Sequence, residues 1–261
     1  MICEILVQYR RQDPRYVIYG GVSMSAFLYG LALQWKLDIR SKALLVTCYV
    51  VPLIFFLLMG SVFTSVMPDM KETLIPSMIV MGVSMGAFIG LPPTLIETYG
   101  GDMKKVYKAN GVPLYSGLVT MFLSAFLHLM IVCTMIMLLA PVLFQAALPE
   151  NFVQFYFALA VYVIVSLGIG CVLGLVVKNQ ARMAMAAQLV FLPSIMLSGI
   201  MFPTGLLPEM LALIGRIFPA FWGYRLMLEQ GMRFSNMWYL ILIFALCLVL
   251  CGVLLRRKGE N

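Results

Sequence analysis

Six stretches of this chain contain no Asp, Glu, Lys or Arg. They run approximately from Ala43 to Val66, Leu74 to Ile96, Leu114 to Pro141, Phe152 to Val177, Met183 to Phe202 and Asn236 to Leu255. An α-helix rises ~1.5 Å per residue and the hydrocarbon of a bilayer is ~30 Å thick, so about 20 apolar residues suffice to cross it. Each stretch meets that length. Of the 261 residues, 62% are hydrophobic and 11% charged, against roughly 45–50% and 25% in an ordinary soluble domain. So few charged side chains cannot cover a globule of this size, and much of the surface must face lipid. The fold class this predicts is an all-α membrane protein with six transmembrane helices.

The distribution of basic residues sets the expected orientation. With a cytoplasmic N terminus, fourteen of the eighteen Lys and Arg residues fall on the inner side, among them Arg10, Lys42, Lys104, Lys178 and Arg256. The outer side keeps Lys71, Arg216, Arg225 and Arg233. Inner loops of membrane proteins carry such an excess, so both termini are expected in the cytoplasm of a multi-pass protein of the plasma membrane. The uncharged run from Tyr16 to Trp35 could be a seventh span, but it is flanked on both sides by basic clusters and contains Gly20, Gly21 and Gly30. It reads as a helix lying in the inner interface, with Phe27, Leu28, Leu31 and Trp35 turned to lipid or to the bundle. The chain thus divides into a cytoplasmic and interfacial segment, 1–42, and a six-helix membrane domain, 43–261.

Within the spans, Gly82, Gly86 and Gly90 share one helix face, and Gly170 and Gly174 another. Small residues at this spacing let a second backbone approach closely. The six cysteines sit in apolar runs or near the N terminus and read as small apolar residues rather than a disulfide framework. No carboxylate lies in a central span, so a carboxylate-driven proton antiporter has no visible relay. The single histidine, His128, lies midway along the third span. It reads as a neutral imidazole bonded to a neighbouring helix, with substrate contact as the alternative. No nucleophile elbow, zinc-protease motif, metal-ligand cluster or phosphate-binding loop is present. The chain is therefore not expected to be an enzyme by itself, nor to hold a cofactor or metal, and no nucleic-acid partner is expected. Its length leaves no room for an ATPase domain, so any energy-converting domain must be a separate chain.

Two connecting segments carry more information. Residues 97–113, Glu-Thr-Tyr-Gly-Gly-Asp-Met-Lys-Lys-Val-Tyr-Lys-Ala-Asn-Gly-Val-Pro, mix both charges with Val106 and Tyr107. They form either a solvated connector or a short docking helix with Asp102 as its N-cap, ended by Gly111 and Pro113. Residues 203–235 are too apolar for a free loop, and Pro203, Pro208, Pro219, Gly205, Gly215 and Gly223 break them into short helices. A re-entrant outer hairpin that buries its backbone against protein is expected; an interfacial cap with Trp222 and Tyr224 at headgroup depth is the other reading.

This order of parts resembles the permease subunits of type-2 ABC exporters. The most specific match is Leu197-Ser198-Gly199-Ile200-Met201-Phe202-Pro203, followed by Leu207-Pro208 and Phe218-Pro219; the stretch from Lys104 to Leu114, ending Gly-Val-Pro-Leu, also resembles the family. The resemblance covers nearly the whole chain from about Ser25. It implies two permeases, as a homodimer or with a paralogue, that alternate access while two cytoplasmic ABC ATPase subunits, which hold the ATP and Mg, push on coupling loops. The coupling positions it implies are Glu97, Tyr99, Gly100, Asp102, Lys104, Lys105 and Arg182. Because Gly100 and Gly101 separate Glu97 from Asp102, either acid could be the coupling residue. The candidate substrate path is Met81, Met85 and Phe88 with Phe191, Ser194 and Met196, which suits an apolar or amphipathic cargo. Leu197, Phe202 and Pro203 are the candidate outer gate. A small-ion (sodium) exporter of the same architecture, a membrane enzyme, and a non-transporting scaffold or immunity protein are the competing readings.

Overall fold

The computed structural model describes residues 24–66, 71–101, 107, 113–201, 207–228 and 234–260. Among the described residues every regular element is a helix. In chain order these are α1 (Met24–Arg40), α2 (Lys42–Val66), α3 (Leu74–Gly100), α4 (Leu114–Phe144), α5 (Phe152–Val176), α6 (Gln180–Met196), α7 (Glu209–Gly215), α8 (Pro219–Leu228) and α9 (Phe234–Glu260). Short polar residues start several of them. Ser41 accepts from the Leu44 amide, Asn151 Oδ1 from Gln154 N at 3.1 Å, and Asn179 Oδ1 from Ala181 N at 2.8 Å. Each satisfies one of the amides that the first turn leaves without an intrahelical acceptor.

Among the described residues five helices are long and apolar enough to cross a membrane: α2, α3, α4, α5 and, over Met237–Lys258, α9. The count becomes six if α7 and α8, which meet at a bend of 88°, are taken as one broken span. The stretch from Met183 to Phe202 differs from the expected fifth span. It is helical from Gln180 only to Met196, then turns, with Gly199 at φ 88°. Pro193 has no amide to continue the ladder, and glycine is the residue that enters the left-handed region without a Cβ clash. The α1 helix runs on past Trp35 to Arg40, farther than the uncharged run suggests, and so carries Asp38 with it.

Two spans contain one wide turn each. In α2 the amide of Val51 bonds to the Val46 carbonyl, and in α3 that of Leu91 bonds to Gly86, five residues back in both cases. A proline follows closely each time, Pro52 in α2 and Pro92 with Pro93 in α3. Its ring would meet the carbonyl four residues earlier, and widening the preceding turn relieves that contact.

The centre of the bundle is α3, with α2, α4, α5, α6 and α8 around it. Its glycines make this possible. A Cβ on Gly86 would collide with the Leu129 side chain of α4, and one on Gly170 of α5 would fall 2.1 Å from the carbonyl oxygen of Ala87. The glycine faces expected to admit close neighbours do so, with α4 on one side and α5 on the other. A buried ladder strengthens the seam: the Tyr162 hydroxyl bonds to Ser84 Oγ at 2.7 Å, and Ser84 donates to the Val80 carbonyl at 2.8 Å. Gly223 of α8 sits directly on the Tyr162 ring, so the second half of the bent pair is packed into the bundle.

The bend itself is paired. Amides of Arg216, Ile217 and Phe218 bond back to the carbonyls of Leu213, Ile214 and Gly215, and Trp222 Nε1 donates to the Arg216 carbonyl at 2.6 Å. At the same end of the molecule, Ala147 N bonds to the Lys71 carbonyl and ties the α4–α5 connection to the α2–α3 connection.

Candidate functional site

The opposite end of the bundle gathers three parts of the chain that are distant in sequence. Gln180, which opens α6, donates from Nε2 to Glu97 Oε1 in the last turn of α3 at 2.9 Å. The Tyr99 hydroxyl donates to the Leu114 carbonyl at the start of α4 at 2.6 Å. Lys258, near the end of α9, places its ammonium 5.9 Å from the centre of the Tyr99 ring, within reach of a cation–π attraction. Exposed Glu97, Gly100, Gln180 and Arg182 therefore share one surface with the basic end of α9.

This arrangement sorts the expected coupling positions. Glu97, Gly100 and Arg182 lie on that surface. Tyr99 is only 3% exposed, so its side chain braces the α3–α4 junction and presents nothing outward. Gly117 has the hydroxyls of both Tyr99 and Tyr107 at close range, which fixes Tyr107 of the intervening segment against the start of α4. Asp102, Lys104 and Lys105 lie outside the described residues. The structure thus joins Glu97 to Gln180, two residues before Arg182 in the first turn of α6.

The expected substrate path is closed within one chain. Met81, Met85 and Phe88 belong to the buried core of α3, and Phe191 and Ser194 of α6 are buried as well. Met196 alone among the six is exposed. α6 packs on α3, so the two groups are neighbours. Of the expected outer gate, Leu197 follows the last residue of α6 as its cap, and its carbonyl approaches Gly215 so closely that a Cβ there would lie 2.2 Å away. Phe202 and Pro203 lie outside the described residues.

One polar cluster was not found by sequence reading. Asp38 of α1 is 5% exposed; it accepts from Ser124 Oγ of α4 at 2.5 Å and from Gln34 Nε2 at 2.8 Å. Its Oδ2 stands 3.9 Å from His128 Nε2. The other ring nitrogen of His128 shares a 2.6 Å hydrogen bond with the Tyr49 hydroxyl of α2, as expected for an imidazole bonded to a neighbouring helix. Trp35 stacks on the imidazole at 4.1 Å between ring centres. Burial pushes the Asp38 carboxyl above the usual carboxylate range, against the opposing pull of Ser124, Gln34 and His128. A sequence signal existed: Trp35 and Asp38 lie three apart on one helical face. It was obscured because Asp38 follows the uncharged run and reads as a flanking charge.

The family model for ABC-2 type transporters matches residues 25–230, from α1 through α8 to just beyond its end. No curated protein matches the chain. A match over that much of the chain, on an all-helical body with five helices able to cross a membrane and a sixth if the bent pair is one span, makes this protein a member of the ABC-2 type transporter family, the membrane permease component of an ABC transporter.

Proposed function

We propose that this chain is the permease subunit of an ATP-driven exporter that moves an apolar or amphipathic substrate, a drug, lipid or peptide, by alternating access. Two permeases, identical or paralogous, face each other in this reading, and separate ABC ATPase subunits bind ATP and Mg on the cytoplasmic side. Both chain termini are cytoplasmic. α6 serves as the fifth span and α7 with α8 as the outer re-entrant hairpin, so that α9 is the sixth span. The observation that carries the reading is the Glu97–Gln180 bond, which joins the two loop ends expected to receive the ATPase into one exposed surface beside the basic end of α9. A rigid patch of mixed charge, fed by three spans, can transmit a push to the bundle.

Met81, Met85, Phe88, Phe191, Ser194 and Met196 then line the path once the spans separate. Leu197, Phe202 and Pro203 close it on the outer side. Coupling falls to Glu97, Gly100, Asp102, Lys104, Lys105 and Arg182, with Tyr99 holding the α3–α4 junction beneath them.

Co-purification tests the assignment. An ATPase-only polypeptide should travel with the chain, and the pair in vesicles should hydrolyse ATP and transport where neither subunit does so alone. Glu97→Ala and Asp102→Ala, made separately, should identify the coupling acid by loss of stimulated hydrolysis with the permease still in the membrane; an N-cap at Asp102 is worth about 0.5–2 kcal/mol. Proton-driven transport by this chain alone in ATP-free vesicles would overturn the reading.

A further inference from the structure

The Asp38 cluster sits where four elements meet. Asp38, Gln34 and Trp35 come from α1, Ser124 and His128 from α4, and Cys48 and Tyr49 from the wide turn of α2. The wide turn of α3 closes the cleft through Gly86 and Gly90, with Thr94 beyond it. Wide turns of this kind are over-represented at functional sites, and here both of them face one ionisable pair. The titratable groups around Asp38 are His128 from α4 and Cys48 and Tyr49 from α2; α3 adds none among the described residues of the cleft lining.

Protons decide the charge of this pair. An ionised Asp38 beside a neutral His128 leaves one negative charge in a cleft whose lining includes the apolar side chains of Leu44, Leu91, Met121, Ala125 and Leu129. Such a charge is costly unless balanced. One added proton brings the pair to neutrality, whether it rests on the carboxyl or makes the imidazole cationic. The geometry keeps both options open. Nε2 is 3.9 Å from Oδ2, too far for a direct hydrogen bond but close enough for the charges to feel each other. Among the described residues Nε2 has no hydrogen-bond partner, and His128 is 1% exposed. When the Tyr49 hydroxyl donates to Nδ1, the ring carries its own proton on Nε2, the nitrogen turned toward Asp38.

We propose that Asp38 and His128 form a binding site for a single proton, and that its occupancy holds α1 against α2 and α4. The proton comes from bulk water and changes the net charge of the pair from minus one to zero. When it leaves, a negative charge is stranded between α1 and the bundle, and the docking of α1 weakens. A carboxyl whose pKa is raised by folding binds its proton more tightly in the docked state, so docking is strongest on the acid side and weakens as pH rises from the usual carboxylate value of 3.8 through the raised one. No carboxylate inside a spanning helix is needed, because α1 delivers Asp38 from the side.

Trp35 reports on the site, because an imidazolium stacked on an indole quenches its emission, whereas neutral imidazole does so weakly. The full chain in nanodiscs is titrated from about pH 4 to 9, which takes in the region just above the usual carboxylate value and the range of about pH 5 to 8 in which histidine charge changes. The pH-dependent emission of Trp35 is isolated by subtracting Trp35→Phe, and protonated carboxyl is followed by infrared difference spectroscopy. The wild type should show a one-proton transition in emission, in the carboxyl band, or in both. Asp38→Asn, which keeps partners for Ser124 and Gln34, should abolish any carboxyl band change and weaken proton binding by His128 about tenfold or more, moving its step about one pH unit or more toward acid. Ser124→Ala, which removes a donor to the carboxylate, should move the wild-type transition toward alkali and serves as the second variant if Asp38→Asn does not fold. A flat titration in both signals, or transitions that neither substitution moves, would overturn the proposal. The measurement needs neither ATPase nor substrate, so its failure leaves the exporter reading untouched, and the converse also holds.

Discussion

α3 and α9 pass the same test for crossing a membrane and stand in opposite places. α9 is the more apolar, with a mean hydropathy of 2.8 against 2.0, yet 17% of its apolar window is buried within the chain against 89% for α3. In a water-soluble protein the ranking would be reversed. In a bilayer, lipid accepts a leucine as readily as a protein core does, so burial is driven by close backbone approach and by polar groups that need a partner. α3 has both: Gly82, Gly86 and Gly90 for approach, and Ser84, bonded to Tyr162, for the second. α9 leaves large side chains such as Trp238, Leu242, Leu248 and Val249 exposed. Between these two spans hydropathy gives no sign of which is central, whereas the small and hydroxylated residues mark the buried one; α5, at a mean hydropathy of 2.6 and with 61% of its window buried, shows that a very apolar span can also be central.

Matched glycine substitutions put the largest demand on that contrast. Gly170→Leu forces a side chain onto the Ala87 carbonyl, which belongs to backbone and cannot swing away. A loss of about 3 kcal/mol or more is expected, seen as a collapse in monodisperse yield and melting temperature in detergent. Gly252→Leu on α9, where a Cβ meets nothing within 4 Å, should stay within about 0.5 kcal/mol of the wild type. A large loss at Gly252 would instead reveal that another chain covers this face of α9.

A smaller effect comes from the polar rung between α3 and α5. Tyr162→Phe keeps the ring against Gly223 and removes the hydroxyl that Ser84 shares. About 1–3 kcal/mol should be lost, the cost of leaving a buried polar atom with fewer partners, read as a lower melting temperature with the oligomeric state unchanged. The smallest effect belongs to the lipid face. Leu248→Ala, at a position 57% exposed, should change stability by about 0.5 kcal/mol or less and leave ATPase-coupled transport at the wild-type rate. A marked drop in either would mean that hydropathy does not separate lipid-facing from packed positions on α9.

The helices themselves are readable because a bilayer imposes length and excludes charge, and five of the six stretches match α2, α3, α4, α5 and the Met237–Lys258 part of α9 within a few residues. The fifth stretch failed at Met196 because a tally of apolar residues does not register where the backbone turns; Pro193 and Gly199 were the local signs. The two wide turns were hidden for a similar reason, since each is set by a proline that follows it rather than by the residues within it. Glu97 and Arg182 could be placed at one end by counting spans, but their link through Gln180 depends on how α6 leans on α3. Asp38 was the largest omission. Charge next to an uncharged run reads as a flank, and only the path of α1 across α4 shows that this acid is inside.

The corner between α7 and α8 has a thermodynamic consequence of its own. A chain that reverses direction normally needs water at the turn, because exposed amides and carbonyls in hydrocarbon cost several kcal/mol each. Here the three amides of Arg216, Ile217 and Phe218 are bonded internally, and the indole of Trp222 takes the Arg216 carbonyl. The corner is insulated. Its transfer from the headgroup region toward the hydrocarbon costs little on behalf of those backbone groups, so the depth of the bent pair is set by side chains: Met210, Leu213 and Ile217 favour immersion, and Arg216 with Arg225 favours the surface.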